Sequence, residues 1–134
     1  MADTLSAASL LLTAIAIIYS LWYPEMTAAL KIVPETHKAD NRRAFAHVGD
    51  VVRTRAVPLL LISFFLTTIF IPDTAVILRA SIQHAANKHL VAVMDYSPVA
   101  TALVAVTVLL GLLTAHLGLL THRLIQLRGK LSPV

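Results

Sequence analysis

The chain has 134 residues, 57% of them hydrophobic and 13% charged, with a formal net charge of +4 and no cysteine; an ordinary soluble domain is roughly 25% charged. Every Asp, Glu, Lys and Arg lies outside three windows, Thr4–Pro24, Ala56–Pro72 and Tyr96–His122, which together hold 65 residues. That partition excludes a soluble globular domain, and the missing cysteines exclude disulfides, thiolate metal sites and covalent haem attachment.

The windows predict a single all-α membrane domain with three transmembrane helices, at about residues 4–24, 56–74 and 97–122. About 20 apolar residues of helix cross a bilayer core of about 30 Å, and only a helix or a closed barrel satisfies its own backbone there. The alternation of a barrel strand is absent from these runs.

The first span follows an acidic start, Met1-Ala2-Asp3, and ends in Tyr19, Trp22 and Tyr23. An aromatic anchor in place of a basic leader and a small-residue cleavage site predicts a retained span, not a signal peptide. Asp3 or Thr4 is expected to cap it. Ser6, Ser9, Thr13, Ala16 and Ser20 recur at steps of three and four and share one face, while Leu5, Leu12, Ile15 and Tyr19 mark a bulkier one.

Residues 25–55 read as a helical hairpin that extends spans one and two into the cytoplasm. Met26, Leu30 and Val33 follow Pro24, a first-turn residue. Residues 34–39 form the turn, Asp40 caps the second arm, and Phe45, Val48 and Val52 share its apolar face. Gly49 is a candidate break. The competing reading lays both arms on the lipid headgroups, held by Arg42 and Arg43. The second span is short; Arg53 and Arg55 can snorkel at its start, and Pro58 is placed to kink it.

The outer segment, residues 73–95, carries a weak stripe of Ala75, Leu78, Ile82 and Ala85 or Ala86, which predicts a short interfacial helix between spans two and three. Ser97 before Pro98 is a cap followed by a first-turn proline for the third span. Ala100, Thr107, Gly111, Thr114, Gly118 and Thr121 form a second small, hydroxyl-bearing face, with Gly129 a stop in the tail, residues 123–134. Membrane helices associate through such residues because lipid supplies no hydrophobic drive. The two faces are expected to pack spans one and three together, or to leave one stripe for another chain.

Of the eleven Lys and Arg residues, six lie in residues 25–55 and three in the tail. The excess places both on the cytoplasmic side and the N-terminus outside. Trp22, Tyr23, Arg42, Arg43, Arg53, Arg55 and Arg123 are the expected membrane-interface residues.

Little chemistry is visible. The spans hold no charged residue, which argues against a proton pump, an ion-coupled transporter or a voltage sensor. His116 is the one histidine within a span, and a bis-histidine haem needs a second at matching depth, so it is a weak cofactor candidate that would require a partner chain. His84 and His89, five apart, chelate poorly on a helix, and HExxH, GxSxG and phosphate-binding glycine loops are absent. No catalytic residue, metal site or cofactor is expected, and no basic patch on a soluble face points to nucleic acid.

These features predict a small non-catalytic inner-membrane protein, an accessory or assembly subunit that packs against the bilayer, other membrane chains or its own copies. The topology, with three short spans, the N-terminus out and a basic C-terminal tail, is similar to that of one class of phage holins, which implies self-association and membrane permeabilisation. A redox subunit resting on His116 is the third reading.

Overall fold

A computed structural model describes residues 2–34, 38–87 and 97–132. Four α-helices carry these residues: α1 (Ala2–Leu30), α2 (Lys38–Val51), α3 (Val57–Asn87) and α4 (Pro98–Lys130). A π-helical turn, Val52–Ala56, joins α2 to α3 without interruption. Three helical stretches are long and apolar enough to cross a membrane: Ala2–Leu30, Asn41–Gln83 and Pro98–Lys130. By length and composition this is a multi-pass membrane protein. At 1.5 Å per residue, α1, α3 and α4 run about 43, 46 and 49 Å, so each outreaches the hydrocarbon core.

The helices are longer than the charge-free windows, and several expected breaks are absent. Asp3 and Thr4 lie inside the first turn of α1, where the Asp3 carboxylate faces the positive end of the helix dipole. Pro24 lies within α1; its missing N–H withdraws a donor from the Ser20 carbonyl, yet the helix continues to Leu30. Asp40 lies within α2, which begins at Lys38. Residues 73–87 are not a separate interfacial helix but continue α3 past Pro72; residues 88–95 of that segment lie outside the described residues. At α4 the expected cap is present: Ser97 accepts a hydrogen bond from the Ala100 N–H at 3.4 Å, with Pro98 in the first turn. Gly129 does not end α4, which runs on to Lys130.

Pro58 explains the π turn. A proline ring clashes with the carbonyl four residues back and offers it no hydrogen, so an α-helix is strained around Thr54. The wider turn relieves this, and the Val57 N–H bonds the Val52 carbonyl. The expected kink is thus a one-residue expansion placed directly before the proline.

Packing follows a seven-residue repeat in every long helix. In α4 and at its C-cap, Leu103, Leu110, Leu117, Leu124 and the capping Leu131 recur at sevens and are all buried, with Thr107, Thr114 and Thr121 at sevens between them. In α1 the inward residues are Leu5, Ala8, Leu12, Ile15, Tyr19, Trp22, Met26 and Ala29, at alternating steps of three and four. From Ala56 at the end of the π turn into α3 they run Leu59, Ser63, Leu66 and Phe70. A sustained period of seven keeps one seam facing its partner only if helices cross left-handedly, at about 20°.

α4 is the central helix. It packs along both α3 and α1, which touch each other only slightly. At the hairpin end, Met26, Ala29, Val48, Val51, Val52, Ala56 and Leu124 belong to the same continuous buried core. α2 packs against α1 and α4, and Phe45 and Val48 of α2, with Val52 of the π turn, face into the bundle. Val33, expected on the apolar face, is instead 76% exposed because α1 has ended three residues earlier. Gly49 is no break: a Cβ there would sit 3.1 Å from the Arg128 Nε, whose guanidinium stacks over the Phe45 ring at 4.8 Å.

Candidate functional site

Two helix faces and the aromatic and basic residues toward one end carry what the sequence marked as functional. On the α4 face, Thr107, Thr114 and Gly118 meet α3 inside the bundle. Thr74 donates to Thr107 at 2.9 Å, and Thr107 in turn donates to the Leu103 carbonyl. Ser63 lies 2.6 Å from Thr114, whose own hydrogen goes to Leu110, so Ser63 is the donor. Thr67 sits 3.1 Å from the same Thr114 hydroxyl. Such interhelical bonds contribute about 0.6 kcal/mol each on average in a membrane. The α3 partners Ser63, Thr67 and Thr74 escaped the sequence reading, although the spacing Leu60, Thr67, Thr74 repeats the period of seven.

The glycines of that face differ. A Cβ at Gly118 would meet Leu60 Cδ1 at 3.9 Å, an ordinary contact, whereas one at Gly111 meets nothing within 4 Å. Gly111 is therefore not a close-approach position. Gly111→Ala should raise stability by about 0.5–1 kcal/mol through lost unfolded-state freedom. A detergent-denaturation midpoint below wild type would show that something approaches this position closely.

On α1 the inward and outward faces are the reverse of the small-residue expectation. Ser6, Ser9, Thr13, Ala16 and Ser20 are all exposed, and the bulkier Leu5–Leu12–Ile15–Tyr19 face meets α4. The physical reason is the period of seven: Leu, Ile and Ala knobs fill α4's grooves better than a hydroxyl strip would. Thr13 and Ser20 donate back to the Ser9 and Ala16 carbonyls at 2.8 Å, which hides their polarity from lipid without committing the face. Beside the strip runs an open groove of about 540 Å³, lined by Leu12, Thr13, Ala16, Ile17, Ser20 and Leu21.

The residues expected at the membrane interface lie toward the hairpin end. Tyr19, Tyr23 and His116 form one ring cluster across α1 and α4, with centroids 5.3–6.3 Å apart. His116 is thus an exposed member of this ring cluster, and no second histidine faces it there. Trp22 is half-buried against the core. Arg55 pairs with Glu25, tying the π turn to α1. Arg42, Arg43, Arg53 and Arg123 are exposed. His122 accepts from the Gln126 amide at 2.9 Å when its proton sits on Nδ1. Among the described residues no three His, Cys, Asp or Glu side chains gather as a metal set; His84 and His89 lie outside those whose side chains are described.

The class defined by these features is a three-span helical bundle with a central helix, an internal hydroxyl interface and one uncommitted small-residue face. No family model matches the chain, and neither a search of curated proteins nor one of solved structures returned a match.

Proposed function

We propose that this is a non-catalytic accessory or assembly subunit of a larger membrane complex, held in a bacterial inner membrane with its N-terminus outside and the hairpin end in the cytoplasm. The observation that carries the reading is the exposed Ser6–Ser9–Thr13–Ala16–Ser20 strip of α1, left open while a neighbouring face of the same helix closes the bundle. Small residues at that spacing permit a further helix, from another chain or a second copy, to approach closely. The orientation rests on the basic hairpin end.

The test is the pair Thr13→Leu and Ala16→Leu in the native membrane. Wild type should co-purify a second chain or run as an oligomer in mild detergent. The double variant should lose that association about tenfold or more while its unfolding midpoint stays within about 0.5 kcal/mol of wild type. A monodisperse wild-type monomer with no associated chain would overturn the proposal.

The self-assembling, holin-like reading draws on the same strip, since α1 offers the exposed hydroxyl face that a multi-copy pore would need. It requires that induced expression collapse the membrane potential. An unchanged potential counts against it and leaves the accessory reading standing. The redox reading has less support, because His116 is packed against tyrosines rather than a second ligand.

A further inference from the structure

The basic charge of the hairpin end is not equivalent from residue to residue. Residues 25–55 and 123–134 hold Lys31, Lys38, Arg42, Arg43, Arg53, Arg55, Arg123, Arg128 and Lys130 against Glu25, Glu35, Asp40 and Asp50. The first charges beyond the three uncharged windows at this end are Glu25 on α1, Arg55 in the π turn and Arg123 on α4. The Glu25–Arg55 ion pair puts the first two at one level and neutralises both. Arg53 and Arg123 remain, exposed and without an ion-pair partner among the described residues. Arg53 is three residues from the edge of the α3 window, about 4.5 Å along the helix, inside a headgroup layer of about 5–8 Å. Arg42 and Arg43 lie thirteen or fourteen residues out, about 20 Å along a helix that runs on without interruption and packs against the ends of α1 and α4. That distance exceeds both the headgroup layer and the screening length of about 8–10 Å at physiological salt.

We infer that Arg53 on the π turn and Arg123 on the adjoining α4 each draw anionic phospholipid to this end of the bundle, selecting phosphatidylglycerol-type over zwitterionic headgroups, and that Arg42 and Arg43 stand clear of the lipid. Guanidinium groups bind phosphate oxygens through short, charge-assisted and often bidentate bonds. The girdle of Tyr19, Trp22, Tyr23 and His116 fixes the depth at which those headgroups meet the protein. This departs from the expectation that Arg42 and Arg43 anchor headgroups, and it holds whether or not α1 docks a partner.

Trp22 is the sole tryptophan and lies two residues inside the same boundary, so it reports on the adjoining lipid. The full chain is reconstituted in phosphatidylcholine vesicles containing equal fractions of brominated phosphatidylglycerol or brominated phosphatidylcholine, and Trp22 quenching is compared. Wild type should prefer the anionic lipid at least about fivefold, the value of one well-placed arginine. Arg53→Gln with Arg123→Gln should bring the preference close to one, and the corresponding lysine pair should retain much of it. Arg42→Gln with Arg43→Gln should leave it unchanged, as should Arg79→Gln at the far end. Circular dichroism and a monodisperse elution profile establish that each variant is folded. Equal quenching of wild type by the two lipids would overturn the inference, as would loss of preference in the Arg42/Arg43 variant alone. Competition by millimolar inorganic phosphate would overturn the lipid as the occupant.

Discussion

Leu117→Ala is expected to destabilise the bundle by about 2–3 kcal/mol, in the lower part of the range for buried leucines in soluble cores. Leu117 is fully buried on α4, in the core it shares with residues of α1, α3 and the π turn. In water the cost of such a truncation combines lost transfer energy with a cavity term. In a membrane the transfer part shrinks, because a separated helix still lies among apolar chains, whereas unfilled volume remains costly. Leu112, on the same helix and 63% exposed, is the control, and Leu112→Ala should cost less than about 0.5 kcal/mol. Both are measured by SDS titration from a mild micelle. Equal losses from the two variants would mean that the leucines at sevens do not form the seam.

The second large effect concerns register. The Ser63 and Thr114 hydroxyl oxygens are 2.6 Å apart, close enough that cysteines at both positions can form a disulfide without moving either helix far. Because the chain has no cysteine of its own, any bond formed has one assignment. Ser63→Cys with Thr114→Cys should oxidise almost completely in membranes treated with a lipid-soluble oxidant and lose maleimide labelling. Phe64→Cys with Thr114→Cys should stay reduced, since Phe64 is 62% exposed and points away from the bundle. The discriminating pair is Ser20→Cys with Thr114→Cys, which the Tyr19–Tyr23–His116 cluster puts at one level. It would cross-link if the small faces of spans one and three met, and it should remain fully labelled here, because Ser20 is exposed.

Those two experiments probe what the sequence left ambiguous. The spans were legible because excluding charge from hydrocarbon is costly, and the three uncharged windows identify the helices that can cross. Helix ends were not, because the windows record where charge is excluded and not where hydrogen bonding stops. α3 therefore continues through Pro72 to Asn87, and α1 passes Pro24 to reach Leu30.

The faces were half legible. Thr107, Thr114 and Gly118 do meet another helix, but that helix is α3, whose Ser63 and Thr67 are scattered among bulky residues and attract no attention alone. On α1 the small-residue rule selects Ser6, Ser9, Thr13, Ala16 and Ser20, which stay outside. Close approach is one route to helix association, and interlocking larger side chains at sevens is another. The leucines of α4 show the second route in plain sequence, since five of them stand at the same heptad position. The Arg128–Phe45 stacking and the Glu25–Arg55 pair depend on how the hairpin end folds back, which no local pattern encodes.

The position of α4 has a bearing on biosynthesis. A chain made from its N-terminus places α1 and α3 in the bilayer first, and those two have little surface for each other. Until the third span arrives they are two loosely associated segments, with Leu12, Ile15, Leu59 and Phe70 facing lipid or any neighbouring insertase. Assembly of the bundle therefore awaits the last span. A nascent chain truncated before α4 would present quality-control proteases with unpaired spans rather than a smaller version of the same fold.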